Sequence, residues 1–188
     1  VYINPSDEPT VSKLVEGKLL HEDIIGNEYT YTIDSALPSN IETYEQFEII
    51  DTLDERIDYI NNSAKVMVDG KEDSTFKINY DEKTRTLKVT AGNFEALKGK
   101  KLVNIAFKSK MNEKAKNMES IPNVADVEFK NKTMENSKKK RVPEPAIVKP
   151  KKNDEKITIK KFINDEKTEL DTKLEDSFTY TLRVKLPS

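Results

Sequence analysis

The sequence predicts an all-β protein, with one antiparallel β-sandwich followed by the start of a second, similar sandwich. Turn-forming sequences such as LPSN at 37–40 and VDG at 68–70 separate the predicted strands. Helix is expected only as short turns near 93–97 and 112–117. The strands themselves are predicted where apolar and polar residues alternate with a period of two, at 11–15, 29–33, 47–53, 65–68, 76–80, 86–90, 102–109 and 121–130.

Composition excludes several classes of function. The 32 basic and 34 acidic side chains leave a formal charge of -2, so no global field attracts nucleic acid or an anionic membrane. The absence of cysteine rules out disulfides, thiol nucleophiles and Cys-based metal sites. No apolar run approaches the roughly 20 residues of a membrane span. We therefore expect a fragment of a longer precursor without a cofactor, a nucleic-acid partner or a membrane span.

The pattern along the chain predicts two domains. Residues 1–8 are predicted to end a preceding domain or linker, and 9–135 to form the first sandwich. Residues 136–152 are rich in Lys and Pro and are predicted to be an interdomain linker. Residues 153–188 are predicted to begin a second sandwich, because ITIKKFI at 157–163 and DSFTYTLRVKLPS at 176–188 echo TVSKLV at 10–15 and NEYTYTIDSALPS at 27–39.

Strand parity directs three polar residues toward apolar faces, because alternate residues of a strand share one face. Lys13 shares a face with the valines at 11 and 15. Asp51 lies on the face of the apolar residues in 47–53. Asn123 lies on the face of the apolar residues in 121–129, whereas Asp126 is expected to face outward. An amine, a carboxyl and an amide are therefore predicted to meet in the core.

Burial of these groups is costly unless an interaction compensates it. Desolvation lowers the pKa of a lysine and raises that of an aspartate, which makes Lys13 a nucleophile and Asp51 a proton donor. Attack on the amide of Asn123 would release ammonia and crosslink the first and last strands. The alternative interpretation leaves Asp51 at a turn, Lys13 extended to solvent and Asn123 capping a bulge.

The residues and motifs from Thr10 to Phe129 resemble the CnaA-type, or fimbrial isopeptide D2, domains of Gram-positive pilins and collagen-adhesin-like surface proteins. The motifs that carry the resemblance are VSKLVEGK, GNEYTYTIDSALP, YEQFEIIDTLDERIDYI, KLVNIAFKSKMNEKA and IPNVADVEF. The resemblance implies an immunoglobulin-like sandwich in which Lys13 bonds to Asn123 with help from Asp51. It also implies a cell-surface or fimbrial location and sortase linkage to other pilin or surface-protein subunits.

Two features of that family are not matched. The segment VYINPSDEP lacks the lysine that backbone pilins carry there in a VYPKN-like motif, and no LPXTG-like sorting signal occurs. Lys149, Lys151 and Lys152 lie in a comparable interdomain setting, although a solvated linker is the simpler interpretation. Lys161, at the place in the second repeat that Lys13 holds in the first, is predicted to be the amine of a second crosslink.

Other functions have weaker support in the sequence. A ligand-binding adhesin module that recognises a host matrix protein is the main alternative to a stalk. A glycosidase pair formed by Asp51 and Asp54 is disfavoured, since both residues lie at the end of one short strand. His21 is expected in a surface loop, and no spacing indicates a calcium or other metal site. The expected protein is therefore not an enzyme, apart from its single-turnover self-crosslinking.

Overall fold

The computed structural model describes residues 8–151, 158–164, 167–171 and 173–185. The chain divides into two compact units between residues 151 and 152. Regular structure in the described residues is β-strand, apart from 3₁₀ helices at Ile41–Thr43, Glu95–Leu97 and Glu113–Ala115. The predicted all-β class is confirmed, and the second and third of these helices lie where short helical turns were expected.

None of the helices in this described part of the chain is long and apolar enough to cross a lipid bilayer.

The first unit contains fourteen strands in its described residues. In chain order they are β1 (Ser12–Val15), β2 (Leu20–Asp23), β3 (Glu28–Ala36), β4 (Tyr44–Thr52), β5 (Ile57–Tyr59), β6 (Lys65–Val68), β7 (Lys71–Glu72), β8 (Lys77–Asp81), β9 (Thr86–Thr90), β10 (Leu102–Met111), β11 (Ile121–Asn123), β12 (Ala125–Asn131), β13 (Lys138–Arg141) and β14 (Ala146–Pro150).

These strands form three sheets. The first sheet has the order β1-β3-β10-β6-β7, and β5 also pairs with β10. The second sheet has the order β13-β12-β4-β9-β8. Both sheets are antiparallel throughout. In the third sheet, β11-β14-β2, strand β14 runs antiparallel to β11 and parallel to β2.

The first and second sheets share one core. On β3, Tyr31 and Ile33 are buried, and on β4, Phe47 and Ile49 are buried. These residues alternate with more exposed ones, because successive side chains of a strand point to opposite faces. They belong to a single apolar cluster to which both sheets contribute. This arrangement is the predicted β-sandwich.

The segment 136–152, predicted to be a linker, contributes two strands to the first unit. The basic strand β13 pairs with β12 at the edge of the second sheet, where Glu8 and Asp126 neutralise its side chains. Strand β14 completes the third sheet, and its Ala146 and Val148 are buried. The linker prediction was wrong here because the alternation of apolar residues in β14 is short and lies within a stretch rich in Lys and Pro.

Three further strands were not predicted, since β2, β5 and β7 are too short to show a clear alternation. His21 lies within β2, not in a loop as expected, and its ring nitrogen is 3.2 Å from Asp23.

Asp126 was expected to face solvent, but it is nearly covered because Arg141 of β13 binds it at 2.8 and 3.1 Å.

In the second unit, the described residues form one antiparallel pair, β15 (Thr158–Ile163) and β16 (Tyr180–Lys185). The pairing register of β15 with β16 reproduces the predicted repeat. Lys161 lies opposite Leu182 in this pair, as Lys13 lies opposite Ile33 in the pair of β1 with β3. The structure does not describe residues 1–7 or 152–157, so the predictions for the first segment, for Lys152 and for Ile157 lie outside the described residues.

Candidate functional site

Lys13 extends from an edge strand into the core. It lies on β1 between two buried valines, Val11 and Val15, as strand parity predicts. Its side chain has no exposed surface. A lysine is almost never buried this completely unless it has a partner.

Asp51 is that partner. It lies on β4, an inner strand of the second sheet, opposite Ala125 of β12 and Leu87 of β9. Its side chain is 1% exposed, and the Lys13 ammonium or amine donates a hydrogen bond to its Oδ2. The contact therefore crosses the core from the first sheet to the second.

Two aromatic rings complete the surroundings of the lysine nitrogen. The Lys13 Nζ lies 4.5 Å from the centre of the Tyr31 ring and 5.3 Å from the centre of the Phe107 ring. The two rings also contact each other, with their centroids 5.5 Å apart. They shield the nitrogen from water, so electrostatic interactions inside the pocket are strong.

Asn123 lies beside this pair. It is the last residue of β11, and only Val124 separates it from Ala125, the residue opposite Asp51. Asn123 is 2% exposed, but neither its Oδ1 nor its Nδ2 has a hydrogen-bond partner of good geometry. Oδ1 of Asp51 and the hydroxyl of Tyr31 are also buried without such a partner. Unpaired buried groups are rare and costly, so this cluster needs an explanation.

Burial shifts the pKa values of both members of the pair toward their neutral forms. Burial lowers the pKa of Lys13, and the attraction of Asp51 offsets this only in part. Burial likewise raises the pKa of Asp51, against the opposing effects of Lys13 and of the Asn123 amide. The two pKa shifts have the same cause: transfer of one proton from the ammonium group to the carboxylate removes both charges from the core.

The position of Asn123 differs from the expectation in one respect. The crosslink was predicted to join the first and last strands of the domain. β1 is the first strand, but β12, β13 and β14 follow Asn123 in the same unit. The difference arises because the predicted strand 121–130 is divided into β11 and β12, and because residues 138–150 add β13 and β14 to the fold.

The alternative sites find little support. Asp54 lies away from the buried face and binds Arg56 at 2.5 Å through both carboxylate oxygens. Asp51 is buried in the core, so the two carboxylates do not share an open cleft. Within the described ranges, no three His, Asp or Glu side chains are placed to hold a metal ion.

Lys161 has a different environment from Lys13. Its Nζ lies 3.8 Å from the centre of the Tyr180 ring, but the residue is exposed. Its neighbours on β15 and β16 are also open to solvent, including Leu182 at 65% exposure. The described residues of this unit place no asparagine or carboxylate beside it, so its role in a second crosslink stays a prediction.

Sequence reasoning found the three polar groups but missed the two rings around the amine. A signal for Tyr31 exists, since it lies two residues from Ile33, the register partner of Lys13, on the same buried face of β3. For Phe107 no comparable local signal exists, because it meets the site only through the pairing of β10 with β3.

The first domain of the chain matches a known family of domains. The model of the Sgo0707 N2 domain matches residues 8–141, which contain Lys13, Asp51 and Asn123. The chain is 30% identical over 188 residues to platelet adherence protein A of Streptococcus gordonii, and it spans 5% of that protein's length.

Solved structures of pilins and adhesins share the fold. BcpA, the major pilin subunit of Bacillus cereus, matches with a TM-score of 0.70 and 25% identity, over 82% of this chain and 42% of that one. The C-terminal fragment of the Streptococcus agalactiae major pilin GBS80 matches with a TM-score of 0.68 and 22% identity, over 86% and 61% of the two chains.

The N-terminal domain of the Streptococcus gordonii adhesin Sgo0707 gives a TM-score of 0.62 at 17% identity, over 78% of this chain and 34% of that one. The predicted relationship to pilin and adhesin domains is confirmed. Because the family model covers every strand from β1 to β13, the chain belongs to the Sgo0707 N2 domain family.

Proposed function

We propose that this chain is a structural module of a Gram-positive surface protein, a pilus subunit or adhesin stalk, whose first domain crosslinks itself through Lys13 and Asn123. One observation carries the proposal: a buried amine contacts a buried carboxyl beside an amide that has no hydrogen-bond partner of good geometry. The rings of Tyr31 and Phe107 keep water from the amine.

The reaction begins with the neutral amine of Lys13. Its nitrogen attacks Cγ of Asn123, and a tetrahedral intermediate forms while the amide oxygen gains negative charge. The protonated carboxyl of Asp51 donates a hydrogen bond to that oxygen, which stabilises the charge in a site of low dielectric.

Collapse of the intermediate releases the former amide nitrogen. Asp51 takes a proton from the attacking nitrogen and passes a proton to Nδ2, which leaves as ammonia. A C–N bond forms between Lys13 and Asn123 and the original C–N bond of the amide breaks. Asp51 ends in its starting protonation state, so no cofactor or second enzyme is needed.

A covalent tie suits an extracellular protein without cysteine. It closes a loop of roughly 110 residues, for which the crosslink entropy model gives about 4.7 kcal/mol of stabilisation. Formation of the bond also removes two groups from the core, the titratable amine of Lys13 and the amide nitrogen of Asn123 that lacks a good hydrogen-bond partner. On this proposal the crosslink replaces disulfides as the brace of the domain.

Intact-mass measurement of the purified chain tests the proposal. The wild type should lack one molecule of ammonia, and tandem mass spectrometry should find a branched peptide that joins Lys13 to Asn123. Asn123→Ala should have its full mass. Asn104→Ala is the matched control, because Asn104 is a partly buried asparagine that binds Asp34 instead, and that variant should still lose ammonia. A wild type of full, unmodified mass would sink the proposal.

The names of the relatives support the surface location. BcpA and GBS80 are major pilins, and another relative is a platelet adherence protein. By analogy, the parent protein would be linked by sortase to other subunits or to the cell wall, and would expose its domains to host matrix proteins. Fractionation of cells expressing the parent protein, with and without sortase, tests this: release into the medium without sortase is the expected result.

A further inference from the structure

An open groove lies on the first unit, away from the buried lysine. One wall is formed by the end of β5 and the loop that follows it, and the other by the edge strand β8 and the turn after it. β5 belongs to the first sheet and β8 to the second, so the groove lies where the edges of the two sheets separate. Its volume of about 480 Å³ is typical of small-molecule sites.

Two tyrosines form an aromatic platform in this groove. The rings of Tyr59 and Tyr80 lie 4.4 Å apart between centroids, with 31° between their planes. Both residues are half-buried, and Tyr59 is supported from the core by Phe107 at 6.0 Å. The two rings stack partly on each other, so it is an outward face of the pair that can pack against the C–H groups of a pyranose ring.

Three asparagines surround the platform. Asn61, Asn62 and Asn79 are exposed residues that line the groove, and none of their side-chain amides bonds to another described residue. Each amide offers one acceptor and two donors. Sugar hydroxyl groups need both kinds of partner at close spacing.

The charges of the lining residues disfavour negatively charged ligands. The lining contains one carboxylate, Glu82, and no lysine or arginine. Arg85 acts on Tyr80 from outside the lining, but it is bonded to the Ile57 carbonyl and paired with Asp58 at 3.4 Å. A phosphate or a carboxylated ligand would therefore meet the repulsion of Glu82 without a free cation in the lining. A proline-rich peptide would also stack on the tyrosines, but its prolines offer no N–H donors to the amide oxygens of the three asparagines.

The walls of the groove are held in place. The loop after β5 is tied to β10, because the Ile60 N–H donates to the Lys108 carbonyl at 3.0 Å and the Lys108 N–H donates to the Ser63 hydroxyl at 3.0 Å. Arg85 donates to the carbonyl oxygens of Ile57 and of Asp54. Such preorganisation reduces the entropy lost when a ligand binds.

From the stacked tyrosines, the open amides and the lack of basic residues, we infer that this groove binds a short, uncharged carbohydrate. This activity goes beyond the stalk function and does not depend on the crosslink. The tyrosine platform contacts the apolar face of a sugar ring, and the three asparagines recognise its hydroxyl groups.

The test applies the full chain to an array of oligosaccharides with galactose, N-acetylglucosamine or mannose ends, each beside a sialylated counterpart. Binding of at least one uncharged glycan is expected, with no preference for the sialylated form and little change between low and high salt. Titration of that glycan should show a loss of roughly tenfold or more in Tyr80→Ala.

Matched variants separate recognition from folding. Lys77→Ala changes an exposed residue of the same strand outside the groove lining and should bind normally. Asn79→Ala changes an exposed side chain, so it should fold even if Tyr80→Ala does not, and it should bind more weakly. The inference is overturned if no uncharged glycan binds, if Asn79→Ala and a folded Tyr80→Ala bind like the wild type, or if proline-rich peptides bind in place of the glycans. Loss of ammonia in each variant is followed separately, because it reports on the crosslink alone.

Discussion

Lys13 and Lys161 occupy equivalent places in the two repeats but have opposite environments. Each lies on the first strand of an antiparallel pair, and each has its nitrogen over a tyrosine ring, Tyr31 at 4.5 Å and Tyr180 at 3.8 Å. Lys13 is buried and Lys161 is exposed. The strand pair alone therefore does not bury the lysine.

Further strands of the sandwich supply the difference. Asp51 comes from β4 of the second sheet and contacts Lys13 across the core, and β10 of the first sheet adds Phe107. In the described residues of the second unit, only β15 and β16 pair, and no opposing sheet covers Lys161. The lowered pKa of Lys13 thus follows from its burial in the closed sandwich.

The largest effect is expected when the chain is pulled from its ends. With the crosslink formed, the roughly 110 residues between Lys13 and Asn123 should not extend under force. The stretched chain should therefore be about 360–400 Å shorter than that of Asn123→Ala. Because β12, β13 and β14 follow Asn123, residues 124–151 should still extend in the wild type. Single-molecule force spectroscopy gives both lengths, and equal extension of the two proteins would show that the crosslink does not bear load.

Next in size is the effect of removing the acid. Asp51→Ala should slow ammonia loss by about 10²–10⁴-fold, the usual contribution of general acid–base catalysis. The amine itself should stay neutral, since Asp51 raises the pKa of Lys13 and its loss lets burial act unopposed. Time-resolved mass spectrometry of refolding protein measures the rate.

Asp54→Ala is the control for that experiment, because Asp54 is an aspartate near the same strand that binds Arg56 outside the core. It should react at the wild-type rate. Undiminished bond formation in Asp51→Ala would remove Asp51 from the mechanism.

A smaller, graded effect is expected from pH. The reactive state needs a neutral Lys13 and a protonated Asp51. At low pH the rate should fall because Lys13 becomes an ammonium ion, and at high pH because Asp51 loses its proton. The lowered pKa of Lys13 and the raised pKa of Asp51 place the maximum between these limits.

Refolding of unreacted chain from denaturant into buffers of different pH, followed by mass spectrometry, tests this. A bell-shaped profile is expected. A rate that rises steadily toward alkaline pH would show that ordinary lysine deprotonation controls the reaction and that burial does not.

The smallest effect concerns Lys161. Lys161→Arg should leave the ammonia loss of this chain unchanged, because no partner lies beside Lys161 in the described residues. An amine-acetylating reagent should modify Lys161 readily but leave Lys13 of the Asn123→Ala variant untouched, and peptide mapping reads both sites. In a longer piece of the protein, loss of only one ammonia would contradict the prediction that Lys161 forms a second crosslink.

The sequence by itself determined which side chains point inward. A period of two is a local property, so the faces of Lys13, Asp51 and Asn123 were readable before any pairing was known, and all three are buried as predicted. The same pattern was enough for the all-β class and for the equivalence of Lys13 with Lys161.

Only the tertiary structure decided what those side chains meet. Phe107 reaches the lysine through the pairing of β10 with β3, and Tyr59 meets Tyr80 through the approach of two different sheets. The lysines and prolines around β14 obscured its strand pattern in the sequence, but β14 pairs with β11 and with β2 in the structure. These contacts join residues far apart in the chain, and local alternation carries no information about which distant strand will supply the partner.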